Sequence, residues 1–182
     1  MIPRKEITAR EFEERSAVTR EALTWELTPF AWEQMVKGAG VDCGRFLVGA
    51  LNGSGVRNID ASKVPHWSPQ WFLHKREGDP SPFIDQIVQL IGPEYQLEPG
   101  CVPLPADIIV AKCGRDWAHS AMVIEWPKVI ACASGHCVVV WNNIHSSAKF
   151  GKHPLRYFDP FDARWRETGL GSTWSPAAGE TR

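Results

Sequence analysis

Apolar positions in the first third of the chain recur with a helical period. Thr8 and Glu11 have the spacing of a capping box, and Val18, Ala22 and Trp25 follow at i, i+4 and i+7. This spacing predicts an amphipathic helix over 9–26, stopped by Thr28-Pro29. A connection containing Gly38 and Gly40 leads to Asp42-Cys43, where Phe46, Leu47, Ala50 and Leu51 mark a second helix that Gly53 and Gly55 end. The stretch 54–100 is rich in Pro and reads as a long irregular excursion with one short helix over 82–91, opened by Pro82. Beyond Pro105 the period becomes that of strands. Residues 107–112 form an apolar run, 119–126 alternate between two faces, and 128–133 and 137–142 are strand-sized pieces. Tight turns are expected at Gly114-Arg115-Asp116, Trp126-Pro127 and Ser134-Gly135. Helices followed by a run of antiparallel strands predict an α+β fold, with the N-terminal helices packed on one face of the sheet. The polar end reads as a flexible tail over 166–182, leaving a single domain over 1–165.

Composition narrows the function classes. The chain has 182 residues, a length suited to one hydrophobic core, and 20 Lys and Arg against 21 Asp and Glu give a net charge of -1. Neither a nucleic-acid stripe nor a polybasic membrane surface fits that balance. No apolar run approaches the roughly 18 residues of a membrane span, so membrane insertion is not expected. The opening MIPRKEITAREFEERS is charged where a secretory signal is apolar, which predicts synthesis in a cytosol without a signal peptide. Five cysteines, an odd number without CxxC spacing, predict at least one free thiol.

Cys43 opens the second predicted helix, where free N–H groups and the macrodipole favour an anion. That setting is expected to lower the thiol pKa, and the thiolate is the nucleophilic form of Cys. Its usual partner is an imidazole. Of the six His, His119 alone begins a strand-like alternation, with Ala121 and Val123 on its face and Ser120, Met122 and Ile124 on the other. Taken singly, a helix-start Cys is most often a small buried hydrophobe, and a strand His is equally ordinary.

The ordered set of segments says more. VTREALTWELTPF from Val18, KGAGVDCGRFLVGAL around Cys43, WSPQWFLH ending at His74, PLPADIIVAKCGRDWAHSAMVIEWPKVI around His119 and the closing RYFDP follow one another between Arg15 and Phe161. In order and spacing they resemble the NlpC-type cell-wall cysteine peptidases, a papain-like family, in the branch found in phage tail modules and gene transfer agents. The resemblance implies a papain-like NlpC-type fold and no cofactor. It implies that Cys43 attacks an amide carbonyl of a peptidoglycan stem peptide to form a thioester, with His119 as general base and then acid. It also implies other phage tail proteins as partners and a place in the virion tail, acting at the host cell wall. The oxyanion would be met by the Cys43 N–H and by a donor from the upstream loop, often a Tyr in the wider family. Here Phe30 and Trp32 stand in that region, so Trp32 is either an indole donor or a cleft wall. Asp42 is expected to cap the helix through its carboxylate.

Two positions depart from the family pattern. The third polar group, which orients the imidazole, is expected after the two apolar residues that follow Trp126-Pro127-Lys128. Ala131 stands there, twelve positions beyond His119, and a methyl group cannot orient a ring. His136 and Asn142 are the substitute candidates. Pro105-Ala106-Asp107 carries Ala where the family favours Gly, which is harmless if φ there is negative, as expected. Ala131 keeps a second function open: a structural tail-tip protein that retains the fold without turnover. A metal site built from Cys132, His136 and Cys137, with Cys113 or His119, is disfavoured because adjacent strand residues point to opposite faces.

Overall fold

The computed structural model describes residues 2–66, 76, 79–148, 150–163 and 166. The WSPQWFLH tract with His74, the domain end expected at 165 and the chain from 167 onward lie outside the described residues. β1 (Ile2–Pro3) precedes α1 (Ala9–Leu23), which starts where the Thr8 hydroxyl oxygen accepts the Glu11 N–H at 3.1 Å. Only half of the predicted capping box forms, because the Glu11 carboxylate turns to Arg15 and Lys5. The helix also stops before residue 26. Thr24 gives its hydroxyl to the Glu21 carbonyl, the N–H groups of Trp25 and Glu26 bond three residues back, and Leu27 takes a φ of 67°. Trp25 still reaches the core. β2 (Met35–Val36) and β3 (Gly40–Val41) make a small antiparallel ribbon around Gly38, whose φ of 78° suits a residue without a side chain. α2 (Cys43–Gly53) and α3 (Pro82–Leu90) lie within a residue of their predicted bounds.

The strands that follow are β4 (Glu94–Tyr95), β5 (Cys101–Val102), β6 (Ile108–Cys113), β7 (Asp116–Glu125), β8 (Lys128–Cys132), β9 (Val138–Trp141) and β10 (Leu155–Phe158). Six of them form an antiparallel sheet in the order β4-β10-β6-β7-β8-β9, while β1 pairs in parallel with β5. The fold is therefore α+β, as the pattern predicts. One sheet face carries Ile108, Val110, Met122 and Ile130 against Val18, Ala22, Phe46, Leu47 and Ile87 of the helices. The other carries Ile109, Ala111, Ala121, Val123 and Ala131 beneath Ile144 and Phe150 from the connection after β9. Each fully buried Ile, Leu or Phe contributes about 1.5–3 kcal/mol, so this two-sided burial is the main stabilising force. The register of β7 is interrupted twice, against β8 between Val123 and Glu125 and against β6 beside His119. Ala111 faces His119 but Lys112 faces Trp117, which leaves Ala118 as a bulge and returns Trp117 to the helix side.

Ala106 overturns one expectation, for its φ is 64°. The Asp107 N–H donates to the Leu104 carbonyl at 3.0 Å, so Pro105 and Ala106 are the middle of a tight turn whose third position is left-handed. Asp107 holds that turn closed by also accepting the Leu104 N–H at 2.9 Å. The same carboxylate belongs to a buried ionic cluster. Arg15, 1% exposed, reaches Asp107 at 2.9 Å and Asp159 at 2.7 Å, and Arg4 bridges the same two carboxylates at 2.7 Å each. Tyr95 donates its hydroxyl to Asp107 at 2.7 Å. Burial alone would raise the Asp159 carboxyl, but Arg15, Arg4 and Lys5 outweigh it and hold the group well below the usual carboxylate range.

Candidate active site

Asp42 organises the start of α2. One carboxylate oxygen accepts the Arg45 N–H at 2.8 Å, the N-cap bond expected of it, while the other takes the Arg45 guanidinium at 2.8 Å and the Glu33 N–H at 3.0 Å. Arg45 then donates to the Pro65 carbonyl at 3.2 Å. This nearly buried pair ties the upstream loop and the downstream chain to the first turn of α2. α3 approaches at Gly44, where an added Cβ would lie 3.3 Å from the Phe83 ring and 3.5 Å from the Gln86 amide. Trp32 stands on the upstream loop, 38% exposed, with its ring edge-on to Phe30 at 5.0 Å. Glu33 beside it has a φ of 59°.

Cys43 meets β7 from the helix side, at the two residues that flank His119, while the His119 ring lies on the other face. The Cys43 sulfur lies 3.9 Å from the Ala118 carbonyl, and the Cys43 carbonyl accepts the Ser120 hydroxyl at 3.0 Å, so the residues on either side of His119 both touch Cys43. The thiol is not lowered as its place at a helix N-terminus predicts. Burial, and next the charge of Asp42, push it up to about 12, against the pull of hydrogen bonding from Ser120 and from the Cys43 N–H. Desolvation by the packed sheet outweighs the helix end. Cys132 lies close by, with its sulfur 3.1 Å from the Val41 carbonyl, and burial, then Cys43, raise its thiol as well. All five cysteines are free thiols.

The imidazole of His119, 6% exposed, lies on the loop-covered side and stacks on Phe150, with centroids 4.9 Å apart and planes at 29°. Ala131 is fully buried in that same cluster, and the ring of Trp141 meets Phe150 edge-on at 6.0 Å. An apolar wall thus fills the side on which the family places a polar orienter. His136 is exposed in the β8–β9 turn, where its carbonyl takes the Phe30 N–H at 2.8 Å, and Asn142 is exposed just beyond β9. A histidine at this position is accordingly expected to overpack the wall: Ala131→His should lower the melting temperature, with a loss of about 1–3 kcal/mol, and the same change should cost less when made in a Phe150→Ala background. Thermal melts of the single and double variants check this.

Ser120, Arg45 and Phe150 are site residues that pattern reading did not single out. Ser120 carried a usable signal, a lone hydroxyl on the apolar face of the predicted strand, and Arg45 follows Asp42 at helical pairing distance. Phe150 carried none, since its partners are remote in sequence. Among the described residues, no group of three His, Cys, Asp or Glu is arranged to hold a metal ion.

No protein-family model matches the chain and no curated relative does. Among solved structures it is similar to the NlpC/p60 domain of the peptidoglycan hydrolase SagA, at 15% identity and a TM-score of 0.48, over 78% of this chain and 96% of that one. It is similar also to an NlpC/p60 family protein from Bacillus cereus, at 12% identity and a TM-score of 0.48, over 78% of this chain and 39% of that one.

Proposed function

We propose that this chain is a cysteine peptidase of the NlpC type, carried by a phage tail, that hydrolyses amide bonds in peptidoglycan stem peptides. The observation that carries the reading is the meeting of Cys43, at the Asp42-capped start of α2, with the stretch of β7 that bears His119. In the proposed reaction the sulfur turns from the Ala118 carbonyl toward His119, which takes its proton. The sulfur adds to the amide carbonyl, and the amine leaves with the proton that His119 returns. Water activated by the same imidazole then hydrolyses the thioester. The N–H of Cys43 serves the oxyanion, and Trp32 walls the cleft.

A protonated thiol and an imidazole backed by Phe150 predict slow turnover. They also favour a second reading, a tail-tip protein that keeps the fold and has given up catalysis. Release of new amino groups from peptidoglycan fragments separates the two. The peptidase is expected to release them slowly, and Cys43→Ala to fall to the buffer rate. Equal release by both proteins decides for the structural role.

A further inference from the structure

We propose that Ser120 is a positioning residue for the Cys43 sulfur: its hydroxyl, now given to the Cys43 carbonyl, turns to the sulfur when the thiol loses its proton and holds the thiolate in place. Ser120 is fully buried on the helix side of β7, one residue beyond His119, with its oxygen 3.0 Å from the Cys43 carbonyl. A serine hydroxyl is a rotor with one proton to give, so a small turn redirects it between two acceptors on the same residue. The Cys43 sulfur already faces this strand, 3.9 Å from the Ala118 carbonyl. That carbonyl can accept from a thiol but repels a thiolate, so deprotonation removes one partner and calls for a donor. Ser120 supplies it, and hydrogen bonding from its N–H and hydroxyl favours the ionised sulfur.

Besides Ser120, the Cys43 N–H favours ionisation. Asp42 at the helix cap raises the thiol by its charge, and Cys132 on β8 is itself a thiol held protonated. His119, between Ala118 and Ser120, has its ring stacked on Phe150. With an alanine at position 131, Ser120 thus takes over at the sulfur part of the fixing role that a polar orienter performs at the ring.

The inference concerns the thiolate, and its catalytic meaning rests on the peptidase reading above. Site-resolved alkylation by iodoacetamide between pH 7 and 11, followed by mass spectrometry, tests it with Cys101 and Cys113 as internal standards. Ser120→Ala is expected to slow Cys43 about tenfold at pH 9 and to move its pH profile up by about one unit, the worth of a hydrogen bond to a charged group. Ser120→Thr, which keeps the hydroxyl, should return the profile toward that of the unaltered protein. Should Ser120→Ala melt below the assay temperature, Ser120→Cys fits the same space, donates more weakly and is expected to slow Cys43 by a smaller factor. An unchanged or faster Cys43 rate, with the standards constant, overturns the proposal. Protein that cuts no peptidoglycan yet follows this alkylation pattern overturns the peptidase reading alone; protein that cuts while its alkylation ignores Ser120 overturns this inference alone.

Discussion

Arg15→Met is expected to lower the unfolding free energy by about 3–5 kcal/mol, a third or more of what a domain of this size has in total. Methionine fills much of the same volume, so packing is not the main loss. What remains is a pair of carboxylates, Asp107 and Asp159, that lie in the interior with side chains at most 5% exposed and one guanidinium fewer to neutralise them. Arg4 and Lys5 still reach them, which keeps the variant from losing everything. The pH dependence carries the same signature. Asp159 has a folded pKa below its unfolded value of about 4, so its contribution is present above that pH and is lost as the pH falls through the folded value. Tyr95, raised by burial and then by Asp107, acts at the other end. Above about pH 10 the unfolded phenol ionises while the folded one resists, and stability declines. Urea titrations from pH 2 to 11 should therefore show both limbs in the unaltered protein and a flatter acid limb in Arg15→Met. A loss below about 1 kcal/mol with the acid limb intact would show that Arg15 merely fills space.

Asp42→Ala is expected to lose about 3 kcal/mol or more, from two separate sources. The cap on α2 disappears, and Arg45, only 6% exposed, is left in the interior without its carboxylate. Asp42→Asn keeps a side chain that caps well but loses the charge, so its loss should be roughly half as large. The two variants share one chemical effect. Asp42 raises the Cys43 thiol by its negative charge, so removing that charge moves the pKa down from about 12 and speeds alkylation at a fixed pH. Reduced melting temperature together with a more reactive Cys43 is the expected pair of results for Asp42→Asn. A less reactive thiol would mean that capping geometry outweighs charge at this helix start.

The parts of this arrangement that were legible in the sequence are local ones. The Asp42-Cys43 boundary, the faces of β7 from Ser120 to Val123 and the hairpin turns at Gly114, Pro127 and Gly135 follow from period and turn chemistry alone. The ribbon of β2 and β3 and the short strands β1, β4 and β5 are two residues each, too short for alternation to register, and their pairing is decided by partners elsewhere. The left-handed Ala106 was misread because the chain tolerates a methyl group there once Asp107 and Arg15 have fixed the turn. The Cys43 thiol was misread for a related reason. A helix N-terminus is visible in sequence, whereas the desolvation that overrides it comes from a sheet assembled 75 residues later.

The ionic cluster that ties Arg15 to Asp107 and Asp159 spans 92 and 144 positions of chain. Its members meet only after the sheet has brought the ends of β6 and β10 together, so the entropy of closing those loops is spent before any of its bonds form. Contacts absent from the transition state for folding act on one rate only. Weakening them leaves the folding rate nearly untouched and speeds the reverse step. Arg15→Met is on that ground expected to speed unfolding more than it slows folding, with Arg4 and Lys5 as the latch on the folded lifetime, and stopped-flow folding and unfolding rates check this.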